Sequence, residues 1–497
     1  MADFDLAIVG GGINGTGIAR DAAGRGLRVL LVEQADLASG TSSASTKLIH
    51  GGLRYLEQGW LRLVREALIE REVMLRMAPH LIRPLRFVLP PEPEMRPAWM
   101  LRLGLFIYDH LGGRKILPAT RTIDLVNDPL GAPLKRPPGQ GFEYSDCFAD
   151  DSRLVVLNAV DAAERGAVIR TRTRCIAVER GEVWRLVLDV RHRRDTATAR
   201  VLVNATGPWI KLFAESVLRR TEPVPARLDK GSHIVVPRLF GHDRAYIFPT
   251  RDDRVVFALP FERDFTLIGT TDRGFAGDPA GVKPGADEIG YLCATANQHF
   301  RIAISAADVV WSFAGVRSLH DDGSKRAQDV TRDYVLTLDE RAGEAPLLNV
   351  YGGKITTYRR LAEHALERLS HVLEVGPAWT VDSHLPGGEF PHDGLAALVA
   401  KTRKSRPFLS EEHAQRLVRA YGTRVERVLG PARRLEDLGP RLGANLTGAE
   451  VRYLMDREWA QTEDDVLWRR SKLGLRVSPE ERERLAKFMA AAIGASH

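Results

Sequence analysis

The sequence predicts an α/β fold that carries an additional antiparallel sheet and a helical C-terminal region. Residues 5–33 follow a strand, glycine turn, helix, strand pattern, and residues 230–272 contain short segments rich in β-branched and aromatic side chains. After about residue 385 glycine turns become rare and the pattern turns helical. A chain of 497 residues is expected to divide into two or three units, because single cores rarely grow beyond about 250–300 residues.

The N-terminal segment DLAIVGGGINGTGIARDAAGRGLRVLLVEQ predicts one βαβ unit. Gly10, Gly12 and Gly15 form the motif G-x-G-x-x-G, and Glu33 ends the second strand. Such glycines allow a tight turn, close approach of a pyrophosphate and close helix packing, while the helix N-terminus favours negative charge. An acid at the end of the second strand can accept hydrogen bonds from a ribose. The segment therefore predicts a dinucleotide-binding site.

A second glycine-rich stretch, LIHGGLRYLE at residues 48–57, places Gly51 and Gly52 among His50, Arg54 and Tyr55. Paired glycines in this setting predict that something bulky approaches the backbone.

Residues 60–111 contain three successive patterns. Residues 60–78 predict an amphipathic helix, and residues 79–97 predict a proline-rich connection. The next run, AWMLRLGLFIYDHL, is apolar and studded with arginine. Two interpretations stay open for it: a buried helix, or a helix that lies on a membrane surface.

Further strands are predicted over about 165–210, and the last of them leads directly into Ala205 and Gly207. In a doubly wound sheet this glycine turn lies at the carboxyl edge, near the dinucleotide. Residues 230–272 predict a mostly antiparallel sheet. A final strand ends at Gly352 and Gly353, before a helix predicted to begin near Ile355.

The net charge and the distribution of arginine indicate which kinds of ligand or surface the protein can bind. The formal charge is +7 and the pI is near 9.3, but arginine is spread along the chain without a compact basic run with interleaved aromatic residues. Nucleic acid is therefore not expected, and an anionic substrate or an anionic membrane surface explains the charge better.

Cysteine usage and hydropathy predict a cytoplasmic setting. The three cysteines are scattered without metal-ligand spacing, so no metal site is predicted and a reducing compartment is favoured. No apolar run approaches the roughly 18–20 residues of a membrane span, and the N-terminus enters a strand pattern at once. Neither a signal peptide nor a transmembrane anchor is expected.

Several segments together resemble a known family. They are GGGINGTGIARDAAGRG, TSSASTKLIHGGLRYLE, APHLIRPLRF, GFEYSDC, NATGPW, GSHIVVP, IGTTD, SFAGVRSL, TRDY and YGGKITTYRRLAEHAL. They are similar to the FAD-dependent glycerol-3-phosphate dehydrogenases of the respiratory, quinone-linked type, over nearly the whole chain. One departure is Ser318, where the family usually has proline after G-V-R, which makes the turn after Arg317 less rigid.

The resemblance implies a glutathione-reductase-like, Rossmann-type FAD-binding domain, an antiparallel-sheet substrate domain and a C-terminal helical domain. The first two would interleave over residues 1–384, with cap strands mainly in 80–145 and 212–335, and the third would cover 385–497. The bulky group beside Gly51 and Gly52 would then be the isoalloxazine ring. The cofactor residues that it implies are Gly10, Gly11, Gly12, Ile13, Asn14, Gly15, Glu33, Gln34, Thr41, Ser42, Ser45, Lys47, Leu48, His50, Gly51, Cys175, Ala205, Gly207, Trp209, Gly353, Lys354 and Thr356.

The implied reaction oxidises the C2 hydroxyl of sn-glycerol 3-phosphate to the ketone of dihydroxyacetone phosphate, with hydride transfer to flavin N5. A phosphate dianion calls for several cations, since Arg offers a bidentate fork and Lys a compact charge. The residues nominated for substrate binding are Arg54, Tyr55, Thr270, Asp272, Arg317, Arg332 and Lys354. The helix after Thr356 would place its positive N-terminal end near the reduced flavin.

His233 is the first choice for the base that takes the hydroxyl proton, because an imidazole titrates near the working pH. His50 is the alternative, and Arg317 joins them as a catalytic candidate. The expected electron acceptor is the quinone pool of the membrane, with peripheral attachment to the inner face of the cytoplasmic membrane and a homodimer as a candidate assembly.

Other functions remain open at this stage. A glycerol-3-phosphate oxidase would use oxygen as the acceptor and form peroxide. An amine or amino-acid oxidase would not need the phosphate-binding cations. A non-catalytic flavin-binding or RNA-associated module would show no reduction by a substrate.

Overall fold

The computed structural model describes residues 2–91, 97–222, 224–250, 254–321 and 333–494. Its strands are β1 Phe4–Val9, β2 Val29–Val32, β3 Leu48–Ile49, β4 Ile82–Leu89, β5 Arg121–Ile123, β6 Gly141–Ala149, β7 Val168–Arg170, β8 Thr173–Arg180, β9 Trp184–Val190, β10 Arg193–Asn204, β11 Ala226–Pro237, β12 Ala245–Pro249, β13 Val255–Phe261, β14 Phe265–Gly269, β15 Arg273–Gly274, β16 Trp311–His320, β17 Val335–Arg341 and β18 Glu344–Tyr351.

The α-helices are α1 Ile13–Gly24, α2 Leu61–Met77, α3 Ala98–Leu111, α4 Asp151–Glu164, α5 Ile210–Ser216, α6 Ala286–His299, α7 Tyr358–Leu369, α8 Leu395–Ser405, α9 Glu411–Tyr421, α10 Val425–Leu429, α11 Gly448–Glu458 and α12 Pro479–Gly494. A π-helix follows α11 at Asp465–Arg470.

The first sheet has the strand order β17-β18-β10-β1-β2-β7, with β8 and β9 attached to β10. The five strands from β18 to β7 run parallel, as the βαβ pattern predicts. Helices α1, α4 and α7 pack together beside this sheet, and their apolar side chains join those of the strands in one core. The carboxyl ends of the parallel strands therefore meet at one edge, where a doubly wound fold binds its ligand.

The second sheet has the order β15-β11-β14-β13-β12-β4-β6-β3, with β16 paired to β11 and β5 paired to β6. Its pairs are antiparallel apart from β4 with β12, so the predicted antiparallel character of residues 230–272 is confirmed. The prediction for residues 79–97 was wrong in part, because β4 occupies much of this range. Pro84 is tolerated there because β12 pairs with β4 only at Phe87 and Val88, so the proline needs no second hydrogen-bonded neighbour.

The C-terminal helices enclose a core of their own, which confirms the helical domain. The predicted boundary at residue 385 stays a prediction. Helix α7 begins at Tyr358 instead of near Ile355, since Gly352 and Gly353 both have positive φ and the chain turns before it enters the helix. Within the described ranges, no helix is both long enough and apolar enough to cross a bilayer.

Helix α3 tests the buried-helix interpretation of residues 98–111. It buries only Leu105, Tyr108 and Asp109, so the buried-helix interpretation was wrong. Five large apolar side chains point outward, with Trp99 exposed by 66% and Phe106 by 52%. The exposed set is Trp99, Met100, Leu103, Phe106 and Ile107.

Candidate active site

A cavity of about 490 Å³ opens at the carboxyl ends of β1, β2 and β10. The glycine motif builds its floor. Gly10 has φ +118°, and a Cβ there would lie 2.4 Å from the carbonyl oxygen of Ala205. A Cβ at Gly15 would lie 1.9 Å from the carbonyl oxygen of Gly10. The turn therefore requires glycine at both positions, whereas a Cβ at Gly12 would meet only the Ser42 hydroxyl at 3.1 Å.

Most of the predicted cofactor residues line this cavity. They are Gly10, Gly11, Gly12, Ile13, Asn14, Glu33, Gln34, Thr41, Ser42, Cys175, Ala205, Gly207, Trp209, Gly353 and Lys354. The lining does not include Gly15, Ser45, Lys47, Leu48, His50, Gly51 or Thr356.

Glu33 stands at one end of the cavity, where its carboxylate accepts hydrogen bonds from Gly11 N at 2.7 Å and from Ala35 N at 2.8 Å. Burial raises the pKa of Glu33. The contacts fix the loop after β2 against the glycine turn, and the ribose contact of Glu33 stays a prediction.

Lys47 and Ser45 lie outside the cavity lining and hold the loop that carries Thr41 and Ser42. The Lys47 ammonium is fully buried and donates to both carboxylate oxygens of Asp151, at 2.8 and 2.9 Å. Ser45 Oγ donates to the same carboxylate at 2.7 Å. The pair anchors residues 41–47 to the N-terminus of α4, so these side chains support the loop without facing the cavity.

The glycine pair at 51 and 52 is explained by packing inside the protein. A Cβ on Gly51 would lie 2.5 Å from a methyl carbon of Leu68 and 2.8 Å from the ring of Tyr108. Gly52 has φ +76°, and its Cβ would lie 2.2 Å from the ring of Tyr55. The missing Cβ atoms thus make room for protein side chains. The approach of the cofactor ring to this backbone stays a prediction.

Tyr55 and Lys354 also line the cavity, and Lys354 follows β18, which is separated from β2 and Glu33 by β10 and β1. The Lys354 ammonium sits 3.8 Å above the centre of the Tyr55 ring, and Tyr55 stacks on Trp60 at 5.5 Å. A cation above an aromatic face is stabilised by the ring quadrupole. Arg54 is half-buried on the same turn as Tyr55.

Arg317 adds a second cation to the cavity wall, from β16. Its guanidinium lies 3.3 Å from the Asp272 carboxylate, and its side chain remains 40% exposed. Thr270 Oγ1 and Arg317 Nη2 would both lie within 3.3 Å of a Cβ at Gly231, so the two side chains converge on that glycine. Arg332 lies outside the described residues.

The two candidate histidines differ in accessibility. His233 is 2% exposed, stacks on Phe313 at 4.9 Å, and its Nε2 lies 2.9 Å from Thr46 Oγ1. His50 is half-buried, its backbone N–H donates to Thr356 Oγ1 at 3.3 Å, and its ring meets the edge of Phe257. Burial lowers the pKa of each to about 3, assisted by Lys354 beside His50 and by Lys47 beside His233. Both imidazoles are neutral at physiological pH.

The cavity also has walls that the sequence did not indicate. Residues 279–282 line it and sit in a stretch, DPAGVKPG, that the sequence marks only as a turn-rich loop. Leu212, Phe213, Ser216 and Val217 contribute from the region of α5. A loop and a short helix carry no local signal for the partner they face.

Comparison with known proteins shows which family has this fold and this cavity. The model of the FAD-dependent oxidoreductase family matches residues 5–359, and the model described as the C-terminal domain of alpha-glycerophosphate oxidase matches residues 378–497. A glycerol-3-phosphate dehydrogenase of Pseudomonas aeruginosa is 52% identical over 98% of this chain and 95% of its own. The chain belongs to the FAD-dependent glycerol-3-phosphate dehydrogenase family.

Two further relatives extend the comparison. The D-erythritol 1-phosphate dehydrogenase of Brucella abortus is 50% identical over 96% of both chains. The structure of the Bacillus halodurans glycerol-3-phosphate dehydrogenase with FAD has a TM-score of 0.73 and 26% identity, over 98% of this chain and 94% of that one.

FAD is the cofactor, and the described residues fit it. Gly10 and Gly15 let the chain make its tight turn, and the missing side chain at Gly12 leaves the backbone open to a pyrophosphate. The cavity extends along the sheet edge from Glu33, after β2, to Lys354, after β18, with β1 and β10 between them, which suits an extended dinucleotide.

Proposed function

We propose that this enzyme oxidises the C2 hydroxyl of sn-glycerol 3-phosphate to the ketone of dihydroxyacetone phosphate. FAD, when bound, supplies the hydride acceptor. The observation that carries the proposal is that Lys354, Arg317 and Tyr55 line the same cavity as the glycine turn. Two cations and a phenolic hydroxyl in one cavity suit a phosphate dianion on a small substrate.

The proton of the substrate hydroxyl needs an accepting group. Because the His50 side chain is half-buried whereas His233 is only 2% exposed, we favour His50 as that base ahead of His233, the reverse of the order that the sequence favoured. Neither residue is among those that line the cavity. A half-buried neutral imidazole beside Lys354 can accept a proton at a ring nitrogen, while the Nε2 of His233 lies 2.9 Å from Thr46 Oγ1. His233 would then act as a positioning residue under the cavity wall.

The relatives differ in the polyol phosphate that their names specify, glycerol 3-phosphate or D-erythritol 1-phosphate. The cationic wall suits the phosphate of either compound, so the length of the polyol must be tested directly. Anaerobic absorption spectra of the holoenzyme, taken with each phosphate and with unphosphorylated glycerol, separate the cases. We expect rapid bleaching of the oxidised flavin band by glycerol 3-phosphate. Faster bleaching by D-erythritol 1-phosphate would replace the proposed substrate, and bleaching by neither would contradict the reaction.

We also propose that the electrons pass to a quinone in the membrane. The exposed apolar face of α3, with Arg102 exposed beside it, supports this acceptor, since basic amphipathic helices lie in the lipid interface. The reduced holoenzyme should be reoxidised faster by a short-chain quinone than by oxygen. Rapid reoxidation by air with one peroxide per turnover would instead identify an oxidase.

Attachment to the inner face of the cytoplasmic membrane is part of the same proposal. Leu103 on α3 and Leu435 in the C-terminal region are exposed by 51% and 45%, which makes them a matched pair. We expect the wild type to float with anionic liposomes, Leu103→Ser to float less, and Leu435→Ser to behave as wild type. Equal flotation of all three proteins would remove the role of α3.

A further inference from the structure

The loop between β2 and residue 42 lines the Glu33 end of the FAD cavity, and its buried anchor is Asp36. Residues Gln34, Ala35 and Ala38 face the cavity, while Asp36 points away from it and is only 1% exposed. Ser39 N donates to the carbonyl oxygen of Asp36 at 3.1 Å, and Ala38 N donates to that of Gly11. The position of the Asp36 carboxylate is therefore tied to the shape of the cavity wall.

The cations that compensate Asp36 come from the far end of the chain. Arg470, itself almost fully buried, grips the carboxylate with both terminal nitrogens, one of them at 2.9 Å from Oδ1. Arg469 Nε donates to Oδ2 at 2.5 Å. Both arginines belong to the π-helix that follows α11.

The same π-helix is tied to the first sheet by a second ion pair. Its first residue, Asp465, is buried and lies 2.5 Å from Arg172, which follows β7. Arg172 also lies 4.0 Å from Asp36. Each of the two buried aspartates is thus paired with more than one arginine: Asp36 with Arg469 and Arg470, and Asp465 with Arg172 and Arg469.

A buried carboxylate that loses its cations is strongly destabilising, because its charge is then left uncompensated away from water. Asp36 therefore keeps its buried position only while the C-terminal domain supplies Arg469 and Arg470. If they were absent, the carboxylate would turn toward water and carry the cavity-lining loop with it.

We propose that the C-terminal helical domain is a structural component of the FAD site, in which Arg470 and Arg469 position the loop at the Glu33 end through Asp36. The domain contributes no lining residue to the described cavity and acts through the loop. Arg470, Arg469 and Asp36 are positioning residues.

The test is the affinity of the full-length apoprotein for FAD, measured by quenching of flavin fluorescence. Arg470→Gln keeps a polar side chain but loses the charged fork. We expect its dissociation constant for FAD to rise at least about tenfold, the effect of losing roughly one charge-assisted interaction. The more conservative Arg470→Lys should recover part of that loss.

Two controls separate this role from general destabilisation. Glu164→Gln breaks a two-point pair with Arg424 that also joins α4 to the C-terminal region, at the end of α4 opposite Asp151. Glu458→Gln breaks a buried pair with Arg153 and keeps the Glu458 carbonyl oxygen, which accepts a hydrogen bond from Arg470 Nη2. We expect FAD affinity near wild type in both, with a lower apoprotein melting temperature for Glu458→Gln.

Two results would overturn the proposal. One is wild-type FAD affinity in a folded Arg470→Gln apoprotein. The other is an equal loss of affinity in Glu458→Gln at an equal loss of melting temperature. If Arg470→Gln fails to fold, Arg469→Gln takes its place, because Arg469 is 19% exposed and provides one contact to Asp36.

Discussion

The two ends of the cavity are built in different ways. At the Glu33 end the wall forms around the glycine turn, where Gly11 N donates to the Glu33 carboxylate. The cationic and phenolic side chains of the cavity come from distant segments, since Tyr55 lies on the turn after β3, Arg317 lies on β16 and Lys354 follows β18. We expect the first set to bind mainly by shape and the second mainly by charge, so mutations in the two sets should affect different measurements.

The largest expected effect is loss of the cofactor through Gly15→Ala. The new Cβ would lie 1.9 Å from the Gly10 carbonyl oxygen, so the turn must open. We expect purification without flavin and no turnover, with the far-UV circular dichroism of a folded protein. A Gly26→Ala control is matched in residue type, and a Cβ there would meet no atom within 4 Å, although its positive φ adds local strain. Normal flavin content in Gly15→Ala would show that the turn tolerates a side chain.

At the charged end, Lys354→Met should leave the flavin bound and weaken the substrate. Loss of a charge-assisted hydrogen bond costs about 1.5–3 kcal/mol, which corresponds to a fall in kcat/KM of roughly ten- to a hundredfold. Steady-state kinetics with glycerol 3-phosphate, alongside the absorbance of bound flavin, measures both quantities. Loss of flavin together with activity would mean that the two ends are not separable.

Variants of His50 and His233 test which of the two histidines is the base. We expect His50→Asn to slow anaerobic flavin reduction at least about a hundredfold, the contribution of a general base, and His233→Asn to slow it less. Stopped-flow absorbance with saturating substrate gives both rates. If flavin reduction were slower in His233→Asn than in His50→Asn, His233 would again be the first choice for the base, as the sequence favoured.

Tyr108 links α3 to the turn that carries His50 and Tyr55. Its hydroxyl accepts a hydrogen bond from Gly51 N at 2.7 Å and donates to the buried Asp146 carboxylate, which also pairs with Arg71. Tyr108→Phe leaves Gly51 N–H and Asp146 short of a partner, at a cost of about 1–3 kcal/mol. We expect a fall of a few degrees in melting temperature and a several-fold fall in kcat, with flavin content unchanged. An unaltered kcat would separate α3 from the active-site turn.

The smallest expected effect concerns acid stability. Burial lowers the pKa of His80 to about 3, with Arg153 and Arg424 beside it. Below about pH 6.5 the His80 imidazole is therefore protonated in the unfolded chain but remains neutral in the folded state. The free energy of unfolding then falls as the pH falls. Between about pH 7.5 and 5.5 this one group removes about 1.4 kcal/mol. In His80→Phe the fall in unfolding free energy over that range should be smaller by this amount, as measured by urea denaturation. An unchanged pH dependence would mean that His80 is not the titrating group.

Local patterns were sufficient for the elements at the Glu33 end. The βαβ unit and the requirement for glycine at 10 and 15 follow from rules that act over a few residues, and the structure confirms both. The surroundings of Lys47 and Gly51 depend on side chains more than a dozen residues away, Asp151 for Lys47 and Leu68 and Tyr108 for Gly51, and local patterns could not indicate them. Their contacts with the cofactor stay predictions.

The sequence by itself determined the dinucleotide fold, the antiparallel second sheet and the helical C-terminal region, because hydrophobic period and glycine placement are read over short windows. Tertiary structure alone decided that α3 is exposed, that Asp36 is held by Arg469 and Arg470, and that His233 is buried while His50 is half-buried. These depend on which surfaces meet after folding. Contact between residues separated by more than four hundred positions leaves no mark on either local sequence.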